Sequence, residues 1–121
     1  MKIARLGTLH NEKPAVVVSD TEAVFVDDLI SDWNRTELEN GALDKVAKAD
    51  LASRPKVALS DFRFGSPVAR PTKVICVGLN YAKHAKETGM AAPAEPVIFM
   101  KAPDTVIGGN DDIIVPPNSQ K

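Results

Sequence analysis

Residues 74–89, VICVGLNYAKHAKETG, decide how the rest of the chain is interpreted. An apolar run typical of a β-strand stops at a glycine, and a short segment rich in alanine and lysine follows it. Asn80 stands where an N-cap residue would begin a helix, and Gly89 stands where a glycine would end it. The stretch therefore predicts a strand over residues 73–77, a turn, and a helix over residues 81–88.

The predicted helix carries a histidine and a glutamate, His84 and Glu87, three residues apart. Side chains at this spacing lie on one face of a helix. The carboxylate can accept a hydrogen bond from one imidazole nitrogen and fix the tautomer, which frees the other nitrogen to take a proton. The same spacing also fits a solvated ion pair that only supports the helix. Spacing alone leaves a general base and a surface pair both open.

Two other functions for this stretch have weaker support. A strand, a glycine and a helix N-terminus can bind a phosphate, but GLNYAK has one glycine where a dinucleotide-binding fingerprint has three. Cys76 could be a nucleophile with His84 as its base, but its place inside an apolar strand favours a buried structural thiol. Lys101 ends the apolar run PVIFMK, and either a cleft or solvent would suit its charge.

Composition excludes several classes of function. The chain has 121 residues and a formal net charge of -1, with no long basic or acidic run, so nothing indicates a nucleic-acid partner or a membrane surface. The apolar runs are too short to span a bilayer. One cysteine cannot form an internal disulfide, which suits a cytoplasmic protein.

The whole chain reads as a mixed α+β, β-rich protein. The runs KIARLGTL, AVVVSD and AVFVDDL predict an antiparallel meander, and residues 31–53 predict a helix that Gly41 splits and Arg54 and Pro55 end. A short strand and an extended connector follow, with a domain boundary near residues 68–72. Beyond it we predict strands over residues 73–77 and 97–101 and a hairpin turning at residues 108–111.

The second half has too few residues to bury a sheet alone, so we expect an incomplete fold, as in a fragment or a chain that pairs with further polypeptide. The acidic pairs at residues 27–28 and 111–112 could hold a divalent metal, but solvated strand ends explain them better. His10 lies in a predicted turn, and Trp33 is expected to pack in the core.

The run KVICVGLNYAKHAKETGMAAPAEPVIFMKAPDTVIGGNDDIIVPPNSQK resembles the start of the catalytic domain of the fumarylacetoacetate hydrolase family. The matching elements are the strand into G-L-N-Y-A-x-H-x-x-E, the loop with Pro93 and Pro96, the P-V-x-F-x-K strand, and the closing I-V-P-P. The resemblance implies a small N-terminal α/β domain over residues 1–70, followed by the beginning of the family's β-roll over residues 71–121.

The resemblance also implies an activity and its residues. His84 and Glu87 would form a catalytic dyad on a helix that closes over an acylpyruvate, oxaloacetate or hydroxymuconate-type keto acid. Lys101 would contact the dyad or the substrate's oxygens, and Asn80 is assigned with it to substrate binding. Asn80 and Tyr81 would set the start of that helix. The reaction would be C–C hydrolysis, decarboxylation or isomerisation through an enolate. In related members arginine can stand at the position of Leu79, so leucine there leaves the substrate open.

The family implies a Mg²⁺ or Mn²⁺ cofactor and a homodimer. Its metal ligands, an E-x-E pair and a later aspartate, have no counterpart here, because no glutamate follows Glu95. We therefore assign no metal ligand in this chain and do not expect these 121 residues to be a competent enzyme alone. The alternative is a non-catalytic binding or interaction module, or an inactive fragment, that retains the helix sequence.

Overall fold

The structure is a computed structural model that describes residues 1–91 and 93–119. Two compact units can be distinguished: the first contains Met1–Ala69 and Ile107–Lys121, and the second contains Arg70–Val106. The first part of this unit ends at Ala69, within the boundary predicted near residues 68–72. The unit also contains the segment from Ile107 onwards. The assignment of residues 1–70 and 71–121 to two domains stays a prediction, because spatial units need not coincide with domains.

A four-stranded antiparallel sheet forms the centre of the first unit. Its strands are β1 (Lys2–Leu6), β2 (Lys13–Val17), β3 (Glu22–Phe25) and β4 (Val57–Ala58), in the order β1-β2-β3-β4. The first three strands alternate with turn-forming segments, so each hydrogen-bonds to its neighbour in sequence. The predicted meander and the predicted short strand after the helices are both confirmed.

Two short helices separate β3 from β4, α1 (Arg35–Glu39) and α2 (Ala42–Ala47). Gly41 lies between them with φ of +80°, a left-handed conformation that glycine adopts without strain, so the predicted split is confirmed. The predicted end at Pro55 is wrong, because α2 stops at Ala47. Soon after, the Asp50 carboxylate accepts hydrogen bonds from the backbone N–H groups of the second and third residues that follow it, which favours a turn over further helix.

Apolar side chains cover both faces of this sheet. Trp33 is fully buried with the helices on one face, and its Nε1 donates a hydrogen bond of 3.2 Å to the carbonyl oxygen of Ala15. The prediction that Trp33 packs in the core is confirmed. The buried residues of this cluster are Val16, Val26, Ile30, Trp33, Ala42 and Val46. The buried residues of the other face are Ala4, Leu6, Ala15 and Ala23. Four partly buried apolar side chains pack on them: Val57, Leu59, Phe62 and Phe64.

The second unit contains β5 (Val74–Gly78), α3 (Ala82–Glu87) and β6 (Val97–Lys101). The strands pair antiparallel, and Val74 lies opposite Lys101 while Gly78 lies opposite Val97. Both strands and the intervening helix were predicted within a residue of their observed ends. One face of this two-stranded sheet exposes four large apolar side chains: Ile75, Val77, Ile98 and Met100.

The predicted hairpin after β6 is wrong. A single 3-10 turn, Pro103–Thr105, follows β6, and no strand forms in the described residues after it. Residues 108–111 do turn, since the N–H of Asp111 donates to the carbonyl oxygen of Gly108 at 3.1 Å. However, the Asp111 side chain bonds to Arg63 instead of leading into a paired strand, and Ile113 and Ile114 are 85% and 89% exposed.

Within the described residues, no helix is both long and apolar enough to cross a lipid bilayer.

Replacing Trp33 by alanine is expected to lower the free energy of unfolding by about 3–5 kcal/mol, because it opens a large cavity and leaves the Ala15 carbonyl without its donor. Urea denaturation followed by circular dichroism measures this. The matched control is Leu43→Ala on α2, where the side chain is 46% exposed and the expected change is about 0.5 kcal/mol or less. Equal losses in the two variants would contradict the assigned core.

Candidate functional site

Helix α3 begins one residue later than predicted. Its N-cap is Tyr81, whose side chain makes no capping hydrogen bond, so the prediction that Asn80 is the N-cap is wrong. Tyr81 is extended, with φ of -113° and ψ of 125°, and its carbonyl oxygen accepts the N–H of Ala85 at 3.1 Å. Asn80 therefore precedes the cap, and its side chain is available for other contacts.

The C-terminal end of α3 is closed by its backbone. Gly89 has φ of +69°, its N–H donates to the carbonyl oxygen of Lys86 at 3.2 Å, and the N–H of Met90 donates to that of Ala85 at 3.0 Å. These two bonds are the pair that defines a Schellman motif, which satisfies carbonyls that the last turn of a helix leaves free. The predicted role of Gly89 is confirmed.

His84 and Glu87 lie together on the exposed face of α3. Nδ1 of His84 is 4.0 Å from Oε2 of Glu87, and the two side chains are 58% and 74% exposed. This distance is too long for a hydrogen bond, but a rotation about the side-chain bonds of either residue would close it. The arrangement can therefore hold the imidazole with one nitrogen toward a carboxylate and the other toward a reactant or water.

An open cavity of about 400 Å³ lies beside the turn between β5 and α3. Its walls are residues 77–80 and 82 on one side and residues 93–96 on the other. The wall is mostly apolar, and its polar side chains are Asn80 and Glu95. Of the four predicted site residues, Asn80 lines this cavity, whereas His84, Glu87 and Lys101 do not. Glu95 was not singled out from the sequence, because a lone carboxylate before a proline in a loop has no distinctive pattern.

Leu79, in the same turn, has φ of +51°. This left-handed conformation is uncommon outside glycine, asparagine and aspartate and costs a residue with a Cβ about 1–2 kcal/mol. Strained residues of this kind concentrate at ligand-binding and switch regions. The strained backbone at Leu79 therefore makes the turn between β5 and α3 a candidate ligand-binding region.

Lys101 occupies the end of the β5–β6 ladder away from α3, since its partner is Val74 and not Gly78. Its Nζ is 5.8 Å from the centre of the Phe99 ring, within the range of a cation–π contact. Cys76 faces Phe99 across the ladder and is half-buried, less buried than the predicted structural thiol. The catalytic or binding roles of His84, Glu87, Lys101 and Asn80 remain predictions.

Three of the four acidic residues that might have suggested a metal are bound to basic side chains. Asp27 pairs with Lys13 at 2.7 Å, and Asp28 accepts both Nη1 and Nη2 of Arg54 at 2.6 and 2.9 Å. The hydrogen bond from Arg54 holds the pKa of Asp28 below its usual range. Asp111 is bound to Arg63. The prediction of solvated strand ends missed these ion pairs, because their partners are distant in sequence.

A metal ion needs several such ligands together. Throughout residues 1–91 and 93–119, no three histidine, cysteine, aspartate or glutamate side chains come close enough to hold one. The residues described here therefore do not fit a divalent cation site.

Comparisons with known proteins identify the region that contains this site. Residues 73–121 match the sequence family described as "Fumarylacetoacetate (FAA) hydrolase C-terminal". The chain is 36% identical over 119 residues to a 2,4-didehydro-3-deoxy-L-rhamnonate hydrolase of Sphingomonas sp. (strain SKA58), covering 98% of this chain and 40% of that protein. It is 43% identical over 86 residues to the human mitochondrial oxaloacetate tautomerase FAHD2A, covering 69% and 27%.

The fold has a relative among solved structures. A crystal structure of a protein described as HpcE, from Mycobacterium smegmatis, superposes with a TM-score of 0.66 at 25% identity and covers 97% of this chain and 41% of its own. This likeness supports the predicted mixture of sheets with few helices. The chain spans less than half the length of each of these three relatives.

Gly89→Ala is expected to destabilise α3 by about 1 kcal/mol, because alanine resists the left-handed conformation that the Schellman motif needs. Amide hydrogen exchange should rise about fivefold at Gly89 and Met90. The control is Gly109→Ala, where φ is ordinary and a Cβ would meet no atom within 4 Å. Unchanged exchange in Gly89→Ala would show that the cap does not hold the helix.

Proposed function

The chain belongs to the fumarylacetoacetate hydrolase family by its residues 73–121, and we propose that it is part of an enzyme of that family acting on small keto acids. The reaction is C–C hydrolysis, decarboxylation or isomerisation through an enolate. The observation that carries this function is that His84 and Glu87 lie 4.0 Å apart on one face of a short helix whose first residue, Ala82, lines the cavity, inside the matched region.

The relatives support the substrate class. One is named as a hydrolase of 2,4-didehydro-3-deoxy-L-rhamnonate and another as an oxaloacetate tautomerase. Both names describe reactions of small acids that carry a carbonyl group. We propose an acylpyruvate, oxaloacetate or hydroxymuconate-type acid for this protein, since a cavity of about 400 Å³ has room for a molecule of this size.

His84 is the proposed general base. When its Nδ1–H donates to Glu87, the tautomer is fixed and Nε2 is free to take a proton from water or from the carbon next to a carbonyl. The water-exposed position of both side chains means that α3 must close over the substrate to exclude solvent during the reaction. Its length of six residues suits such a movement, because two turns are marginal without tertiary contacts.

Asn80 and Lys101 are the proposed substrate-binding residues. The Asn80 amide lines the cavity and can donate to a carbonyl or carboxylate oxygen. The Lys101 ammonium suits a carboxylate. Because β6 holds it at the end of the ladder away from α3 and outside the cavity wall, its role requires the substrate to extend beyond that cavity or the two parts to come closer in the intact protein.

Mg²⁺ or Mn²⁺ is the proposed cofactor, and such an ion would supply electrostatic stabilisation of the enolate oxygen. Its ligands must come from polypeptide outside the described residues, because those residues offer no suitable cluster. A cytoplasmic location and a homodimeric state are likewise part of this proposal, on the grounds of the lone cysteine and of the family.

A second candidate is a non-catalytic binding module that retains the sequence of α3. The observation in its favour is that His84 and Glu87 are exposed and do not line the cavity. In this function the cavity binds a ligand through Asn80 and Glu95, and the histidine makes no contribution to turnover.

The two candidate functions are distinguished by measuring kcat of the full-length protein that contains these residues. With Mg²⁺ present and oxaloacetate or an acylpyruvate as substrate, His84→Gln should lower kcat by about 10²–10⁴-fold, as loss of a general base does. Glu87→Gln should lower it less, because the imidazole remains.

The matched control is Lys83→Gln, which changes a neighbouring exposed residue of the same helix and should leave kcat within about twofold. Magnesium affinity, measured by calorimetry, should stay the same in all three variants. Full activity in His84→Gln would exclude the catalytic assignment, and absence of metal-dependent turnover in the parent protein would favour the binding module.

A further inference from the structure

Five charged side chains form a partly buried ion-pair cluster in the first unit: Arg5, Glu12, Asp32, Arg63 and Asp111. Their exposed fractions range from 7% for Glu12 to 25% for Arg63. The sequence did not reveal this cluster, because its members are spread from β1 to residue 111. Asp111 lies in the region that matches the hydrolase family, whereas the other four precede it.

Arg63 is the centre of the cluster. Its Nε donates to Oδ1 of Asp111 at 2.6 Å, and its Nη2 donates to the other oxygen of the same carboxylate. Its Nη1 donates to Oε1 of Glu12 at 2.6 Å. One guanidinium therefore holds two carboxylates at once, one of them in the bidentate geometry that gives arginine its strength and direction.

Glu12 connects this arginine to β1. Its Oε2 is 3.5 Å from Nη2 of Arg5, and Arg5 in turn donates to both oxygens of Asp32 at 2.7 and 2.9 Å. The backbone reinforces the link, since the N–H of Gly7 donates to the carbonyl oxygen of Arg63 at 3.1 Å. Arg63 is thus anchored to the sheet from two directions.

Gly108 is the part of the later segment that fits most closely. A Cβ on Gly108 would lie 2.2 Å from the carbonyl oxygen of Phe64, far inside van der Waals contact, so the two backbones meet where only glycine has room. The N–H of Gly108 donates to Oδ2 of Asp111 at 2.7 Å. The same carboxylate therefore bonds to Arg63 and closes the turn of residues 108–111.

We propose that Arg63, Asp111 and Gly108 form a clamp that fixes residues 107–111 of the hydrolase-family region onto the four-stranded sheet β1–β4, so that this sheet positions the segment. Two independent features carry the assignment, the bidentate ion pair and the backbone contact that excludes a side chain. The clamp does not depend on the proposed activity, because each of its contacts lies within the first unit.

Glu12 and Asp111, the two carboxylates that bind Arg63, determine the pH below which the clamp is lost. Burial tends to raise the pKa of Glu12, but the hydrogen bond from Arg63 and the charges of Arg5 and Arg63 lower it on balance. The Arg63 hydrogen bonds hold the pKa of Asp111 below its ordinary value of 3.8. With both pKa values lowered by folding, the clamp contributes fully above the ordinary carboxyl range and is lost as the pH falls through the lowered values.

Amide hydrogen exchange of the full chain, read by mass spectrometry at neutral pH, tests the clamp. Arg63→Met should speed exchange at Gly108 and Asp111 about tenfold or more, because a charge-assisted pair is lost, and leave β2 and β3 within about twofold. The matched control is Arg54→Met, which removes another bidentate arginine–aspartate pair of the same unit and should leave residues 107–111 unchanged.

Two further variants keep the test decisive if Arg63→Met unfolds. Asp111→Asn keeps the shape but loses the charge, and Gly108→Ala brings a side chain against Phe64 while keeping every charge. Each should speed exchange in residues 107–111, and Gly109→Ala should not. Equal effects of Arg63→Met and Arg54→Met on this segment, or normal protection in both Asp111→Asn and Gly108→Ala, would overturn the clamp.

Discussion

The candidate site depends on a six-residue helix that its own sequence cannot stabilise. Two helical turns gain too few hydrogen bonds to offset the cost of ordering them, so α3 exists because its ends are fixed. The Schellman motif at Gly89 fixes the C-terminal end of α3. The left-handed turn at Leu79 connects β5 to the N-terminal end of α3. These two backbone constraints determine the relative position of His84 and Glu87, and a contact between the two side chains is not needed for it.

The N-terminal part of the chain has a different source of order. There, antiparallel strands and two apolar clusters bury Trp33 and its neighbours, and a cluster of ion pairs joins segments far apart in sequence. Arg63 belongs to this packed unit, yet it binds a carboxylate from the family-matched region. The sheet that opens the sequence is therefore a structural support for part of the region that follows β6.

Local rules predicted the elements that local forces determine. Short apolar runs bounded by turn-forming residues predicted β1–β3 and β6, and glycines at positions of positive φ marked the split at Gly41 and the end of α3. The same rules failed where a distant partner decides the conformation. Where the expected hairpin after β6 is absent, Asp111 binds Arg63, which lies 48 residues earlier in the chain. The N-cap of α3 was also misplaced by one residue, at Asn80 instead of Tyr81.

The site shows the same limit. Spacing placed His84 and Glu87 on one face of a helix, which the structure bears out, but spacing carries no information on which surface that face meets. The cavity wall combines residues 77–80 and 82 with residues 93–96, and only folding brings these two segments together. Glu95 was missed for this reason. The family resemblance, in contrast, rested on several elements in order, and the sequence comparisons support it.

The backbone at Leu79 limits what natural variation can do to the cavity wall. At a φ of +51° a side chain branched at Cβ would collide with its own main chain, so valine, isoleucine and threonine are disfavoured there whatever the ligand prefers. Leucine and arginine, which are not branched at Cβ, pay a smaller penalty, and glycine pays none. Changes of the cavity wall at this position are thus confined to residues that are not branched at Cβ, of which glycine, asparagine and aspartate are the least strained.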